Sequence, residues 1–251
     1  MKKFKMKVWA MVFLCLFHQA TKPIYAMDLH QDQDVLEFIL EEESQSDKVA
    51  YITFDDGPSI YTEALLDVLN EYDVPAIFFV LGQSINYHPE AEQILNRIHD
   101  EGHFIGLHTM THSKDALYWK EISPQNFVDE MFQLKDQVDE ITGHRTNLCR
   151  APYGKRGHFK PAHFHATQKA GLYCIDWHVD SQDWAKQNAS QIYDEVVRGV
   201  QGVDSDQSEV VFLFHEYQRT VTALPLILDY LIGEGYRFEP YMEGNTFEGL
   251  E

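Results

Sequence analysis

Short apolar runs recur along this chain, each followed by an amphipathic stretch long enough for a helix. That alternation is the pattern of parallel strands joined by crossover helices. The runs lie near 49 to 54, 75 to 80, 103 to 107, 147 to 150, 172 to 177, 209 to 214 and 236 to 239, which predicts seven strands. Between them, Leu65, Val68, Leu69 and Tyr72 form one helical stripe, and Phe127, Met131, Leu134 and Val138 form another, opened by Ser123-Pro124 and stopped by Gly143. Gly102 and Gly171 are placed to end two further helices. Pro225 falls inside the final helical pattern and predicts a kink or a late start there. The fold class this implies is α/β, with parallel strands.

The chain has 251 residues, enough for one large domain, and 44% of them are hydrophobic, a normal globular share. Residues 1–26 read as a signal peptide: Lys2, Lys3, Lys5 and Lys7 precede an apolar stretch from Val8 to Phe17, and Ala26 offers a small residue for cleavage. The competing reading is an uncleaved anchor, because Ile24 is larger than the upstream recognition position favours. Residues 27–48 are polar and acidic and read as a leader, residues 49–240 as the folded domain, and residues 241–251 as a C-terminal tail. Loss of the first 26 residues would remove five lysines and no acid, taking the net charge from −20 to −25. So acidic a chain does not suit nucleic acid as a partner, and ten apolar residues are too few to leave an integral membrane domain in the mature chain. Cys149 and Cys174 are consistent with either a disulfide or two buried thiols.

The chemistry gathers at the ends of the apolar runs. Thr53-Phe54-Asp55-Asp56-Gly57-Pro58 places two adjacent carboxylates where a strand stops. Like charges so close stay ionised only if a cation or an arginine compensates one of them; a solvated surface turn is the competing reading. His108-Thr109-Met110-Thr111-His112 follows the third run, and a helical turn there would bring both imidazoles to one side. With Asp56 they make a two-histidine, one-carboxylate set that leaves a coordination position open, as a hydrolytic metal site requires. With thirteen histidines in the chain, a chance pair is the alternative. Arg150-Ala151-Pro152-Tyr153-Gly154 follows the fourth run and supplies a permanently charged planar donor. Asp176 to Trp184 follows the fifth, and Leu213-Phe214-His215 closes the sixth. In a parallel barrel such ends converge on one rim, so residues far apart in sequence share a pocket. Trp177, Trp184, Tyr153 and Tyr217 offer flat apolar faces near these ends, or simply pack.

These segments, in this order, resemble the polysaccharide deacetylase family of carbohydrate esterases, which includes chitin, chitooligosaccharide and peptidoglycan deacetylases. The resemblance runs from about residue 49 to 240 and rests on residues 53–58, 108–112, 150–153, 180–184 and 213–215. It implies a distorted (β/α)7 barrel with parallel strands and one divalent metal ion, zinc first and cobalt or another ion as alternatives, held by Asp56, His108 and His112. It implies Asp55 as general base, Arg150 orienting it, and the Tyr153 backbone amide stabilising the oxyanion. It further implies His215 as general acid, Asp183 orienting His215, and Trp184 and Leu213 lining the pocket for sugar and acetyl group. The function implied is removal of N-acetyl groups from a glycan by a secreted or cell-wall-associated enzyme. An O-acetyl esterase of the same fold and a non-catalytic glycan-binding relative are the alternatives.

Two features depart from that pattern. Ser113 stands where the family commonly has proline, which predicts a looser turn after the second histidine. Lys155 to Lys160, with His163 and His165 beyond, form a basic stretch in an acidic chain, read either as a contact for an anionic wall polymer or as a solvated loop.

Overall fold

The structure is a computed structural model and describes residues 48–250. The proposed signal peptide and nearly all of the acidic leader lie outside the described residues. Among the described residues no helix is long and apolar enough to cross a membrane.

The predicted alternation forms a distorted (β/α)7 barrel in which every strand pairing is parallel. Strands β1 (Val49–Gly57), β2 (Ala76–Val80), β3 (Phe104–Leu107), β4 (Leu148–Cys149), β5 (Tyr173–Cys174), β6 (Val179–Asp180), β7 (Glu209–His215) and β8 (Arg237–Phe238) line up as β5-β4-β3-β2-β1-β7-β6, with β8 beside the start of β1. The seven predicted strands are all present. The eighth, β6, is two residues long, and sequence periodicity cannot register so short a strand; it is defined only by Val179 and Asp180 pairing with Phe212 and Leu213.

The helices are α1 (Thr62–Tyr72), α2 (Gly82–Tyr87), α3 (Ala91–Asp100), α4 (Lys114–Tyr118), α5 (Gln125–Thr142), α6 (Pro161–Lys169), α7 (Ala189–Gln201) and α8 (Gln218–Gly233). Gly143 ends α5 in the left-handed conformation, φ 69°, as its position predicts. Pro225 does not interrupt α8, which runs through it with Ala223, Leu224, Ile227, Leu228 and Leu231 buried. Burial of that apolar face outweighs one missing N–H.

Alternation along β1 separates two cores. Ala50, Ile52 and Phe54 face the helix layer, packing with Leu65, Leu66, Leu69, Leu224 and Leu228. Val49 and Tyr51 face the barrel interior with Ile77, Phe79, Leu148 and Val211. The interior face then turns polar toward the C-terminal end, where Thr53 and Asp55 follow in the same parity, both buried.

The segment after residue 240, which sequence alone sets apart as a tail, fills this interior. Tyr241, Phe247 and Leu250 belong to the same core, with Phe247 edge-on to Tyr51. Its backbone ties to the stretch between β5 and β6: Asp176 N–H donates to Leu250 O at 3.3 Å, and Phe247 N–H to Tyr173 Oη at 2.5 Å. Lys155 is buried here. Its ammonium donates to Leu250 O at 2.5 Å and Cys174 O at 3.2 Å, so it pins the closing segment and does not meet a polymer outside. His163, also buried, accepts from Lys160 N–H at 3.2 Å. Of the basic stretch, Arg156, Lys160 and His165 remain exposed. Cys149 and Cys174 sit opposite each other on β4 and β5 as free, buried thiols.

Phe247→Ala should cost about 3–5 kcal/mol, the range for emptying a buried aromatic site, and lower the denaturant midpoint measured by circular dichroism. A midpoint unchanged from the parent protein would show that the C-terminal segment is dispensable to the core.

Candidate active site

The C-terminal ends of six strands, β1, β3, β4, β5, β6 and β7, and the loops that follow them meet around a cavity of about 420 Å³. Its wall includes Asp55, Asp56, His108, His112, Trp184 and His215, and Tyr153, Gly154, Trp177, Asp180, Leu213 and Tyr217 complete it. Arg150 and Asp183 lie behind that wall, each 0% exposed, touching the lining side chains and not the cavity.

Asp55 and Asp56 are neighbours in sequence, and strict alternation would send them to opposite faces. Asp56 escapes this because its backbone is left-handed, φ 76°, and the β1–β2 register slips between Asp55 and Gly57. Aspartate tolerates that conformation better than most residues. Its own carbonyl is held by Ser84 Oγ from α2 at 2.9 Å.

The His108–His112 segment is not the helical turn its spacing predicts. It is a bend in which Thr109 (φ 72°) and His112 (φ 52°) are both left-handed. The imidazoles still converge, with ring centres 5.2 Å apart. The fixings are specific: Thr109 Oγ1 accepts from His112 N–H at 3.1 Å, and Tyr153 Oη donates to His112 O at 3.0 Å. Ser113 accepts from Ala116 N–H at 3.3 Å and caps α4, a role proline could not fill.

His108 Nδ1 lies 2.8 Å from the carbonyl of Arg150, to which it can only donate, leaving the Nε2 lone pair to face Asp56. His108 Nε2 is 3.5 Å and His112 Nε2 3.6 Å from Asp56 Oδ1. Asp56 Oδ1 is buried without a hydrogen-bond partner. Two donors of a tetrahedral site with zinc bonds of 2.0–2.1 Å stand about 3.4 Å apart, so the three side chains suit a small divalent cation. Burial, then neighbouring His108, lowers the His112 pKa and favours the neutral imidazole that ligation needs. This is the one such cluster among the described residues.

Arg150 Nη1 donates to Asp55 Oδ1 at 2.8 Å and to Thr53 Oγ1 at 2.7 Å, while Nη2 reaches Asp176 O at 3.1 Å. The guanidinium lies 4.2 Å from the Phe79 ring centre. His215 stands opposite Asp55 in the β1–β7 register. Its Nδ1 is 2.7 Å from Asp183 Oδ1, and its backbone N–H donates to Asp183 Oδ2 at 2.6 Å. Thr220 Oγ1 donates to the same oxygen at 2.7 Å. Burial opposes the charged imidazole, but Asp183 outweighs it and, with Asp55 and Asp56, pushes the His215 pKa up to about 9.

The structure thus brings together all ten residues singled out in the sequence. Two buried carboxylates were missed. Glu130 of α5 accepts from Met110 N–H at 3.1 Å and Thr111 N–H at 3.0 Å, with Thr111 Oγ1 also at 3.0 Å, so it secures the bend between the histidines. Its sequence signal is a charge within the buried stripe of Phe127, Met131 and Leu134. Glu216 accepts from Ser59 N–H at 3.0 Å and Thr62 Oγ1 at 2.5 Å, and burial pushes its pKa up to about 7. It lies against Gly57, where any Cβ would run into its carboxylate. That close approach requires glycine.

The rim of these parallel strands thus carries an Arg150–Asp55 pair and an Asp183–His215 pair beside three metal-competent side chains. A family model described as polysaccharide deacetylase matches residues 42–175. YheN of Bacillus subtilis is 37% identical over 78% of this chain and 68% of that one. A peptidoglycan-N-acetylglucosamine deacetylase of Bacillus cereus is 33% identical over 80% of this chain and 71% of its own length. Among solved structures, a polysaccharide deacetylase from Bacillus cereus superposes with a TM-score of 0.70 at 33% identity, covering 80% of this chain and 95% of that one. The chain belongs to the polysaccharide deacetylase family.

Glu130→Gln keeps the shape but puts an amide N–H₂ where one acceptor oxygen stood. Metal affinity, measured by competition with a chromophoric chelator, should fall about 10–100-fold, as for other groups that orient ligands, with little change in thermal stability. Undiminished affinity would show that the bend needs no such support.

Proposed function

We infer that this protein is a metal-dependent hydrolase that removes N-acetyl groups from the amino sugars of a glycan, peptidoglycan or chitooligosaccharide in type. The observation that carries this is the pairing of His215 with Asp183 across from Asp55, beside the Asp56, His108 and His112 cluster. An amide needs a nucleophile made near neutral pH, stabilisation of the tetrahedral oxyanion, and a proton for a poor amine leaving group. These side chains supply all three. The relatives named as peptidoglycan-N-acetylglucosamine deacetylases in Bacillus cereus and Listeria monocytogenes support the choice of substrate class, and export by residues 1–26 would put the enzyme at the wall.

A zinc ion held by Asp56, His108 and His112 would supply Lewis acidity to the acetyl carbonyl. Asp55, held in place by Arg150, takes a proton from the attacking water as its oxygen adds to that carbon. The Tyr153 amide N–H is assigned to the oxyanion. His215, with Nδ1 committed to Asp183, presents Nε2 to the leaving nitrogen and gives up its proton as the C–N bond breaks, releasing acetate and a free amine. A proton donor of this kind matters more for an amine than for the alcohol of an O-acetyl ester, which favours N-deacetylation over the esterase reading. Trp184 and Leu213 would line the sugar and acetyl positions.

Acetate release from chitooligosaccharides or isolated peptidoglycan should disappear on metal stripping and return with zinc. Asp55→Asn should abolish release while retaining zinc, measured by elemental analysis; a variant with wild-type turnover would remove Asp55 as the base. Because the His215 pKa is raised from 6.5 to about 9, the acid keeps its proton below that value and loses it above. Release should therefore decline on the alkaline side, and in Asp183→Asn the decline should begin at lower pH. An alkaline limb that does not move would separate Asp183 from the acid's function.

A further inference from the structure

The Tyr153 amide sits in a turn whose shape suits glycine better than any residue with a side chain. Ala151-Pro152-Tyr153-Gly154 is closed by Gly154 N–H donating to Ala151 O at 2.9 Å, and Tyr153, third in the turn, has φ 65°. Proline second and a left-handed residue third is the pattern of a type II turn. A type I turn joins the same ends with the central peptide, Pro152–Tyr153, rotated by roughly half a revolution and the third residue at negative φ. A residue with a Cβ prefers that second form.

One peptide plane therefore decides whether an N–H or a carbonyl faces the site. The ends of the turn are fixed: Arg150 N–H donates to Leu107 O at 2.9 Å before it, and Lys155 N–H to Asp176 Oδ1 at 3.1 Å after it. Between them, Tyr118 Oη, at the end of α4, donates to Pro152 O at 3.2 Å. Tyr118 is buried, its ring stacked on His158 and edge-on to His163. Burial pushes its pKa up, so the hydroxyl keeps the proton it donates. The Pro152–Tyr153 bond is trans, so its N–H points opposite to its C=O. With the carbonyl drawn toward Tyr118, the N–H faces the other way, where Tyr153 and Gly154 line the cavity. Among the described residues no backbone carbonyl accepts from it. Turned over, the same peptide would present its carbonyl, which repels a developing oxyanion.

We propose that Tyr118 is a positioning residue for the oxyanion step: by holding Pro152 O, its hydroxyl keeps the Tyr153 N–H turned toward the cavity. Tyr118 does not line that cavity and acts only through the peptide. This assignment rests on the reading above that gives the Tyr153 amide to the oxyanion.

Tyr118→Phe removes the hydroxyl and keeps the ring. With zinc-loaded enzyme, kcat for acetate release from an N-acetylglucosamine pentamer should fall about tenfold, part of the ~100-fold or more that loss of an oxyanion donor costs. KM and zinc content should match those of the parent protein. Unchanged kcat, or a loss carried by KM or by zinc content, would overturn the assignment. In a Tyr153→Gly background the same change should cost less, because glycine takes the left-handed φ freely. An equal cost in both backgrounds would reduce Tyr118 to packing and end the proposal. If the parent protein releases no acetate from any glycan, the deacetylase reading fails by itself, and crystal structures of the metal-free protein still decide the role of Tyr118. A Pro152–Tyr153 peptide turned over in Tyr118→Phe supports it; a peptide oriented as in the parent overturns it.

Discussion

Arg150 is the group on which the site depends. It is the largest fully buried side chain described, and a buried guanidinium is tolerated only where anions and carbonyls surround it. Its side chain satisfies Asp55, Thr53 and the carbonyl of Asp176, and its own carbonyl meets His108. One residue thereby ties β1 to the loops after β3, β4 and β5. The pair with Asp55, at 2.8 Å, also fixes the position of that carboxylate beside Asp56 and the two histidines.

Around this anchor the backbone adopts conformations that side chains other than glycine avoid. Asp56 at the end of β1, and Thr109, His112, Tyr153 and Gln182 in the loops of the site, all have positive φ. Each such residue costs about 1–3 kcal/mol and persists only where its surroundings over-determine it. Glu130 holds the histidine bend, Ser84 holds Asp56, and Tyr153 Oη holds His112. The buried carboxylates that sequence reading passed over are part of what keeps this geometry in place. Their backbone partners are invisible in a residue string, because a hydrogen bond that Glu130 accepts from the amide of Met110, twenty positions away, leaves no local pattern.

The C-terminal segment shows the same limit at the level of the fold. Residues 241 to 250 have the polar, glycine-containing composition of a tail, yet Tyr241, Phe247 and Leu250 complete the barrel interior and Lys155 is buried against their backbone. A lysine in a basic run reads as surface until a low-dielectric site with two carbonyl acceptors is found for it. Sparse apolar residues register as core only when the cavity they enter is known.

By itself the sequence determined the class of fold, the helix ends at glycines, and the metal-competent set of Asp56, His108 and His112, because periodicity, turn chemistry and residue type are local properties. His108 and His112, with Asp55 and Asp56, stand out on those grounds in the residue string alone. Only the tertiary structure decided how they meet: that Asp56 turns inward through a left-handed backbone, that the histidines converge by a bend and not a helix, and that Arg150 and Asp183 lie behind the wall. These outcomes rest on pairings between residues such as Asp55 and His215, 160 positions apart, whose proximity comes from strand register and core packing, which no local stretch of chain contains.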